Sequence, residues 1–370
     1  MKYHTPKQAL TIIKRGTILL LLPCIFTLLF AFKSEKPKPN KAASDQSTWT
    51  AIFLPDGATA VADIAYFGNS SYIATNKGLY KADRDLAMST SSWQKIGTKS
   101  QPVTDLQVYK EGSTEIELVV LYADRIIGRI MRNNLTSMAL TGCNSNTYGT
   151  FNPTQVGKVP GTNNYFMMND EGEVKGLTFG GSGTCNTIQL KRYSLSVKPY
   201  SYSYSNNNKL IFGSTSYPYH TSSSPSWSAS LATWDVARSS TSGLSGISGQ
   251  NIIEICGSNT SNTAWMISRN GYTYKTTNGG SSWFYYSHGF KPYDSDIYVY
   301  SMTASSQHLY IGTRLNGKYV VYYSPKNTTQ ADWKSLGGLP GWRSGLTVSS
   351  TPTKLVVSVA GGGVFKRSLL

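Results

Sequence analysis

The chain has 370 residues, of which 15% are charged and 12% aromatic, a formal net charge of +16, and 4 cysteines. So little charge among so much Tyr, Ser, Thr, Asn and Gly excludes a helical protein, which needs more Ala, Leu, Glu and Lys, and points to a turn-rich extracytoplasmic β protein. The basic excess is no nucleic-acid signature: residues 1–43 hold 8 of 35 basic and 1 of 19 acidic side chains, and the remaining 27 against 18 are scattered, with no Arg-rich run.

Lys2, Lys7, Lys14 and Arg15 precede an apolar stretch over residues 17–32. Residues 1–32 therefore read as an export signal. Its length lies between a secretory core and a spanning helix, and no small-x-small site follows, so a cleaved signal peptide and a signal anchor are both open. Any membrane contact is expected through this segment alone. Residues 33–46, rich in Lys, Pro, Ser and Ala with no hydrophobic period, form a flexible linker, and 47–370 read as one domain.

From there strands recur in groups with a period of about 40 to 50 residues, the spacing of β-propeller blades. The first group runs 61–66, 71–75, 79–81 and 92–96, and the second 103–109, 116–122, 125–131 and 137–140. A third spans 155–193. The fourth, 200–249, is the least regular, with clear strands only at 210–212 and 231–234. The fifth holds 252–256, 264–268 and 272–275, the sixth 297–300, 308–313 and 318–323, and the seventh 346–348, 354–360 and 364–367. The seventh stops one strand short. Residues 47–52 match 92–96 in pattern, so the first ordered strand is expected to complete the last blade and remove the open edges. The fold class is thus all-β: a propeller of seven four-stranded blades, closed by its N-terminal strand.

The fifth group carries the most explicit turn chemistry. Asn270-Gly271 supplies positive φ for a hairpin, Tyr272 and Tyr274 alternate with polar residues, and residues 276–283 read Thr-Thr-Asn-Gly-Gly-Ser-Ser-Trp. This last segment resembles an Asp-box, the Ser/Thr-x-Asp-x-Gly-x-Thr-Trp turn of BNR/Asp-box propellers such as sialidase-like, sortilin-like and photosystem assembly factor-like proteins. Asn278 stands where the motif has Asp, and Ser282 where it has Thr. The resemblance gives Thr276, Asn278, Gly280 and Trp283 structural roles and names no reaction. Residues 324–333, ending at Trp333, look like a second box with an insertion.

The sialidase subset of that family would imply an arginine triad, a Tyr nucleophile with Glu, and an Asp acid/base. No such set is assignable, because the arginines recur at no common blade position. Asp63, Asp105 and Asp296 each stand immediately before an apolar inner strand, so they could gather at one mouth of the central channel. There they would either accept backbone N–H bonds or serve as acid and base for glycoside hydrolysis. The cluster Tyr202, Tyr204, Tyr217, Tyr219 and Trp227 offers either a stacking surface for sugars or proteins, or packing between blades. Cys143 and Cys185, both in Gly/Asn/Thr-rich surroundings, could pair; Cys256 in Ile-Ile-Glu-Ile-Cys reads as a buried strand thiol. The histidines and cysteines lack metal-ligand spacing, so no metal and no cofactor are expected. The function expected is an exported, non-enzymatic propeller that binds a protein or glycan partner through rim loops, and not nucleic acid; a glycan-active hydrolase on the same scaffold is the alternative.

Overall fold

β1 (Thr50–Ile52) opens the computed structural model and is followed by six complete sets of four strands and one set of three. Blade 1 is β2 (Val61–Phe67), β3 (Ser70–Thr75), β4 (Gly78–Asp83) and β5 (Gln94–Ile96). Blade 2 is β6 (Val103–Glu111), β7 (Thr114–Tyr122), β8 (Ile127–Met131) and β9 (Asn134–Leu140). Blade 3 is β10 (Gln155–Lys158), β11 (Asn164–Met168), β12 (Glu173–Phe179) and β13 (Cys185–Arg192). Blade 4 is β14 (Pro199–Ser205), β15 (Lys209–Ser214), β16 (Tyr219–Thr221) and β17 (Val236–Arg238). Blade 5 is β18 (Ile252–Ser258), β19 (Ser261–Ser268), β20 (Thr273–Thr276) and β21 (Phe284–Ser287). Blade 6 is β22 (Ile297–Ala304), β23 (His308–Leu315), β24 (Lys318–Pro325) and β25 (Lys334–Gly338). Blade 7 uses β26 (Leu346–Ser350), β27 (Lys354–Val359) and β28 (Gly363–Ser368). The structure describes residues 49–55, 57–83, 92–111, 113–140, 151–159, 162–169, 173–179, 185–192, 199–205, 209–214, 217–221, 236–239, 251–258, 261–287, 297–339, 346–359 and 363–370.

Each set is an antiparallel meander, and the seven four-stranded sheets form a seven-bladed β-propeller. The fourth strand of blade 7 is β1, paired with β28 through Thr50↔Lys366, Ala51↔Phe365 and Ile52↔Val364. The closing strand is thus the one read from the sequence. The junction is fastened further where Trp93 Nε1 of blade 1 donates to Phe53 O at 2.7 Å. This pairing covers the outer edge of β28 and ties the two ends of the domain into one blade.

The core is a set of wedges between blades. One cluster joins Phe67, Tyr72 and Leu79 of blade 1 to Leu106, Leu118 and Val120 of blade 2. Another joins Ile52 and Val356 of blade 7 to Ile64, Tyr80 and Trp93 of blade 1. Inner strands such as β3 are therefore packed on both faces, so alternation along them does not sort buried from exposed, whereas the outermost β25 is exposed at all but one position. Blade 4 shows the consequence. The Tyr-Ser-Tyr-Ser run, irregular by sequence, is its innermost strand β14, while 231–234, expected as a strand, lies outside the described residues.

The Asp-box-like turn closes as its residue types require. Asn278 Oδ1 accepts from Thr276 Oγ1 at 2.9 Å and from Ser282 N at 2.9 Å, while Gly280 N donates to Thr276 Oγ1 at 3.1 Å. Asn278 Nδ2 also donates to Ser282 Oγ at 2.7 Å, a bond that a carboxylate could not give. Gly280 has φ +86°, and a Cβ there would lie 3.0 Å from Ile211, so glycine is required twice over. Trp283 then packs with Ile211, Ile255 and Tyr274 between blades 4 and 5.

Candidate functional site: the channel carboxylates

The first strands of most successive blades lie beside one another around the axis, so residues at equal height form a ring. The strand registers identify one such ring: Asp63, Asp105, Gln155, Ser201, Glu254 and Ser301 pair with Ala74, Leu121, Met168, Gly213, Ile267 and Gly312 of their second strands. In blade 7 the position belongs to Thr347, opposite Ser358. Every blade places a polar residue here. In blades 1, 2, 4, 5 and 6 the pairing skips the residue just before it, at 62, 104, 200, 253 and 300. A bulge at this point twists the strand locally and re-aims the next side chain.

The ring residues join neighbouring blades. Leu106 N of blade 2 donates to Asp63 Oδ2 of blade 1 at 3.1 Å, and Val156 N of blade 3 donates to Asp105 Oδ2 of blade 2 at 2.8 Å. Val348 N of blade 7 donates to Ser301 Oγ of blade 6 at 2.9 Å. In each case the donor is the residue after the ring position of the next blade, an N–H on the free edge of an innermost strand. Asp63 Oδ1 also accepts from Ile64 N at 2.7 Å, so both its oxygens are engaged. Asp63 and Asp105 are therefore brought together by the fold, as acceptors for backbone N–H groups. Asp296 lies outside the described residues, and Ser301 holds the ring position of its blade.

Sequence reasoning missed Glu254. It sits in the ring on β18, and its signal was visible: Glu254-Ile255 repeats the acid-then-aliphatic step of Asp63-Ile64 and Asp105-Leu106. Burial lifts Glu254 to about 8, helped by the charges of Asp63 and Asp105 and opposed by the Ile255 N–H. Burial and then the charge of Asp105 raise Asp63, against its two N–H bonds. Asp105 is raised by burial, against the N–H groups of Val156 and Leu106. None of the three is in an ion pair among the described residues. They face a cavity of about 720 Å³ whose walls also include Thr104, Gln155, Ser301 and Thr347, and which extends to Lys110 near the end of β6, Glu115 at the start of β7 and Ser305 just past β22. Among the described residues no three His, Cys, Asp or Glu side chains form a group that could hold a metal ion.

The tyrosine cluster divides. Tyr202 and Tyr204 are 9% and 8% exposed, and their hydroxyls donate to Val156 O at 2.6 Å and Lys158 O at 2.8 Å of blade 3. Their rings meet edge to face at 5.8 Å, leaving little face for a ligand. Tyr217 and Tyr219 are half-buried, and Trp227 lies outside the described residues. The Cys143–Cys185 pairing falls there too: Cys143 is outside, and the side chain of Cys185 is not described. Cys256 is free, its Sγ donating to Met302 O at 3.5 Å.

A second charged cluster lies between blades 2 and 3. Glu117, fully buried, accepts from Arg129 Nε at 2.6 Å and Tyr165 OH at 2.5 Å through Oε1, and from Lys158 Nζ at 2.7 Å through Oε2. Lys158 also lies 5.0 Å from the Tyr109 ring centre.

No protein-family model matches the chain, and no curated protein matches it. Solved structures do resemble it in fold. YCF48 from Cyanidioschyzon merolae is 12% identical over 86% of this chain and 98% of that one, with a TM-score of 0.54. YCF48 bound to D1 peptide is 14% identical over 87% and 95%, with a TM-score of 0.55. The extracellular domain of BT4673 from B. thetaiotaomicron is 12% identical over 86% of this chain and 39% of that one, with a TM-score of 0.55. Identities this low establish the propeller fold alone.

Proposed function

We propose that the protein is a non-enzymatic, extracytoplasmic β-propeller that binds a protein or glycan partner at the channel mouth and the surrounding rim loops. The observation that carries this reading is the engagement of the ring carboxylates. Asp63 spends both oxygens on backbone N–H groups and Asp105 bridges to the next blade, so neither stands free as a base beside an open groove. Acids arranged in this way fix blade positions and leave recognition to the cavity wall and the rim. YCF48, similar in fold, is recorded bound to a peptide, and a peptide is the partner class we favour over a glycan. Export through residues 1–32 belongs to the same proposal.

One feature favours the alternative of glycan hydrolysis: burial raises Glu254 to about 8 beside a cavity, the direction that suits a general acid. The test is capture by crosslinking from an envelope extract, run beside a glycan array and a glycoside panel, with Tyr217→Ala/Tyr219→Ala and Glu254→Gln variants. Recovery of one protein partner, weakened by the tyrosine changes and without sugar turnover, supports the binding reading. Turnover by the wild type that Glu254→Gln abolishes overturns it.

A further inference from the structure

Three of the seams between consecutive blades are closed at ring height, by two different chemistries. Between blades 6 and 7 the closure is uncharged: Ser301 Oγ accepts from Val348 N at 2.9 Å and donates to Leu346 O at 3.0 Å. Between blades 1 and 2, and between 2 and 3, carboxyl groups hold the equivalent N–H groups of Leu106 and Val156. We propose that these two carboxyl-closed seams, together with Glu254 across the channel, form a proton-linked latch that keeps blades 1 to 3 docked while the three acids share at least one proton and loosens when all three ionise. The proposal concerns the channel wall and stands whether or not a partner binds there.

The geometry supports this in three ways. The three acids sit at one height on β2, β6 and β18 and face one cavity. Asp63 and Asp105 occupy adjacent blades, and each holds an edge N–H that has the same position in its own strand. Among the described residues no cation is placed to neutralise them. From β14 the nearest titratable group is the Tyr202 hydroxyl, which donates to Val156 O. From β10 it is Lys158, committed to Glu117. Farther along β18 is the Cys256 thiol, and β22 offers Tyr300. Lys110, at the other end of the cavity, pairs with Glu115 at 3.3 Å. Lys326 donates to Ser305 O at 2.8 Å. Three anions on one half-buried wall, with no cation beside them among the described residues, repel one another, and the repulsion acts across the seams that two of them close. A Glu254 raised to about 8 puts the last proton loss in a range where pH changes are ordinary. Asp63 is raised to about 8 as well, so the last proton is shared between Asp63 and Glu254.

Blade 7 supplies the internal control. Hydrogen exchange of the full chain would be followed from pH 6 to 9 at Leu106, Val156 and Val348, with intrinsic exchange rates divided out. The expected result is a loss of protection of about tenfold or more at Leu106 and Val156, with Val348 unchanged over the same range. In Glu254→Gln, which leaves both seam bonds intact, the loss should vanish or shrink, because one of the three repelling charges is gone. A common pH profile at all three amides overturns the proposal. So does a profile in Glu254→Gln indistinguishable from wild type.

Discussion

Glu117→Gln tests how far the blade 2 to blade 3 seam depends on its buried charges. The substitution keeps the side-chain shape but replaces one acceptor oxygen with an NH₂ group and removes the negative charge. Lys158, 4% exposed, then faces an amide inside the seam, and Arg129 loses its ionic partner. Breaking a buried ion pair from one side costs roughly 3–5 kcal/mol, because the other charge stays desolvated. The Tyr109 face, 5.0 Å from Lys158 Nζ, is present in both forms and leaves that cost unchanged. The expectation is a loss of about 3–5 kcal/mol, read as a lowered urea midpoint by tryptophan fluorescence. Adding Lys158→Met removes the orphaned cation, so the double variant should regain about 1–2 kcal/mol over Glu117→Gln. Glu117→Gln within about 1 kcal/mol of wild type would refute the reasoning, as would strictly additive losses in the double variant.

Two further outcomes follow from the same structure. Glu254 is raised from 4.5 to about 8 on folding, so the folded state binds the proton more tightly than the unfolded one. The stability this contributes is complete below the unfolded value and is lost as pH rises through about 8, so thermal stability should fall from pH 5 to pH 9, and Glu254→Gln should flatten that slope. In the Asp-box-like turn, Asn278→Ala removes the acceptor for Thr276 and Ser282 and should cost about 1–2 kcal/mol in denaturant unfolding. Asn278→Asp keeps that acceptor and should cost less than about 1 kcal/mol, because the Ser282 hydroxyl can turn to donate.

Much of this fold was legible in the chain because the signals that carry it are local. Asn316-Gly317 forces the β23–β24 turn with φ of +50° and +77°. Residues 47–52 resembled the outermost strand of a blade, and their counterpart, β1, closes blade 7. Blade 4 was not legible. In a propeller both sheet faces meet neighbours, so the Tyr-Ser alternation of β14, which in an open sheet would mark one solvated face, here fills a wedge against blade 3. For the same reason Tyr202 and Tyr204, read as candidates for a binding surface, have their hydroxyls on blade 3 carbonyls. Asp63 and Asp105 were recognisable from position. Glu254 carries the same acid-then-aliphatic step but was passed over, because within Ile-Ile-Glu-Ile-Cys it reads as an interruption of a buried strand, and only the bulge at residue 253 shows its ring position. The Asp296-Ile297 step carries the same sequence signature five residues ahead of Ser301, the true ring position of blade 6.

The central claim is that the channel acids hold the blades and that the protein binds rather than hydrolyses. The most direct test is turnover of a broad glycoside panel by the wild type and by a folded Asp63→Asn/Asp105→Asn variant, each checked by circular dichroism. The account predicts no turnover by either form, with weaker protection of Leu106 N–H in the variant. Turnover by the wild type that disappears in a variant of unchanged fold and unchanged protection would contradict it.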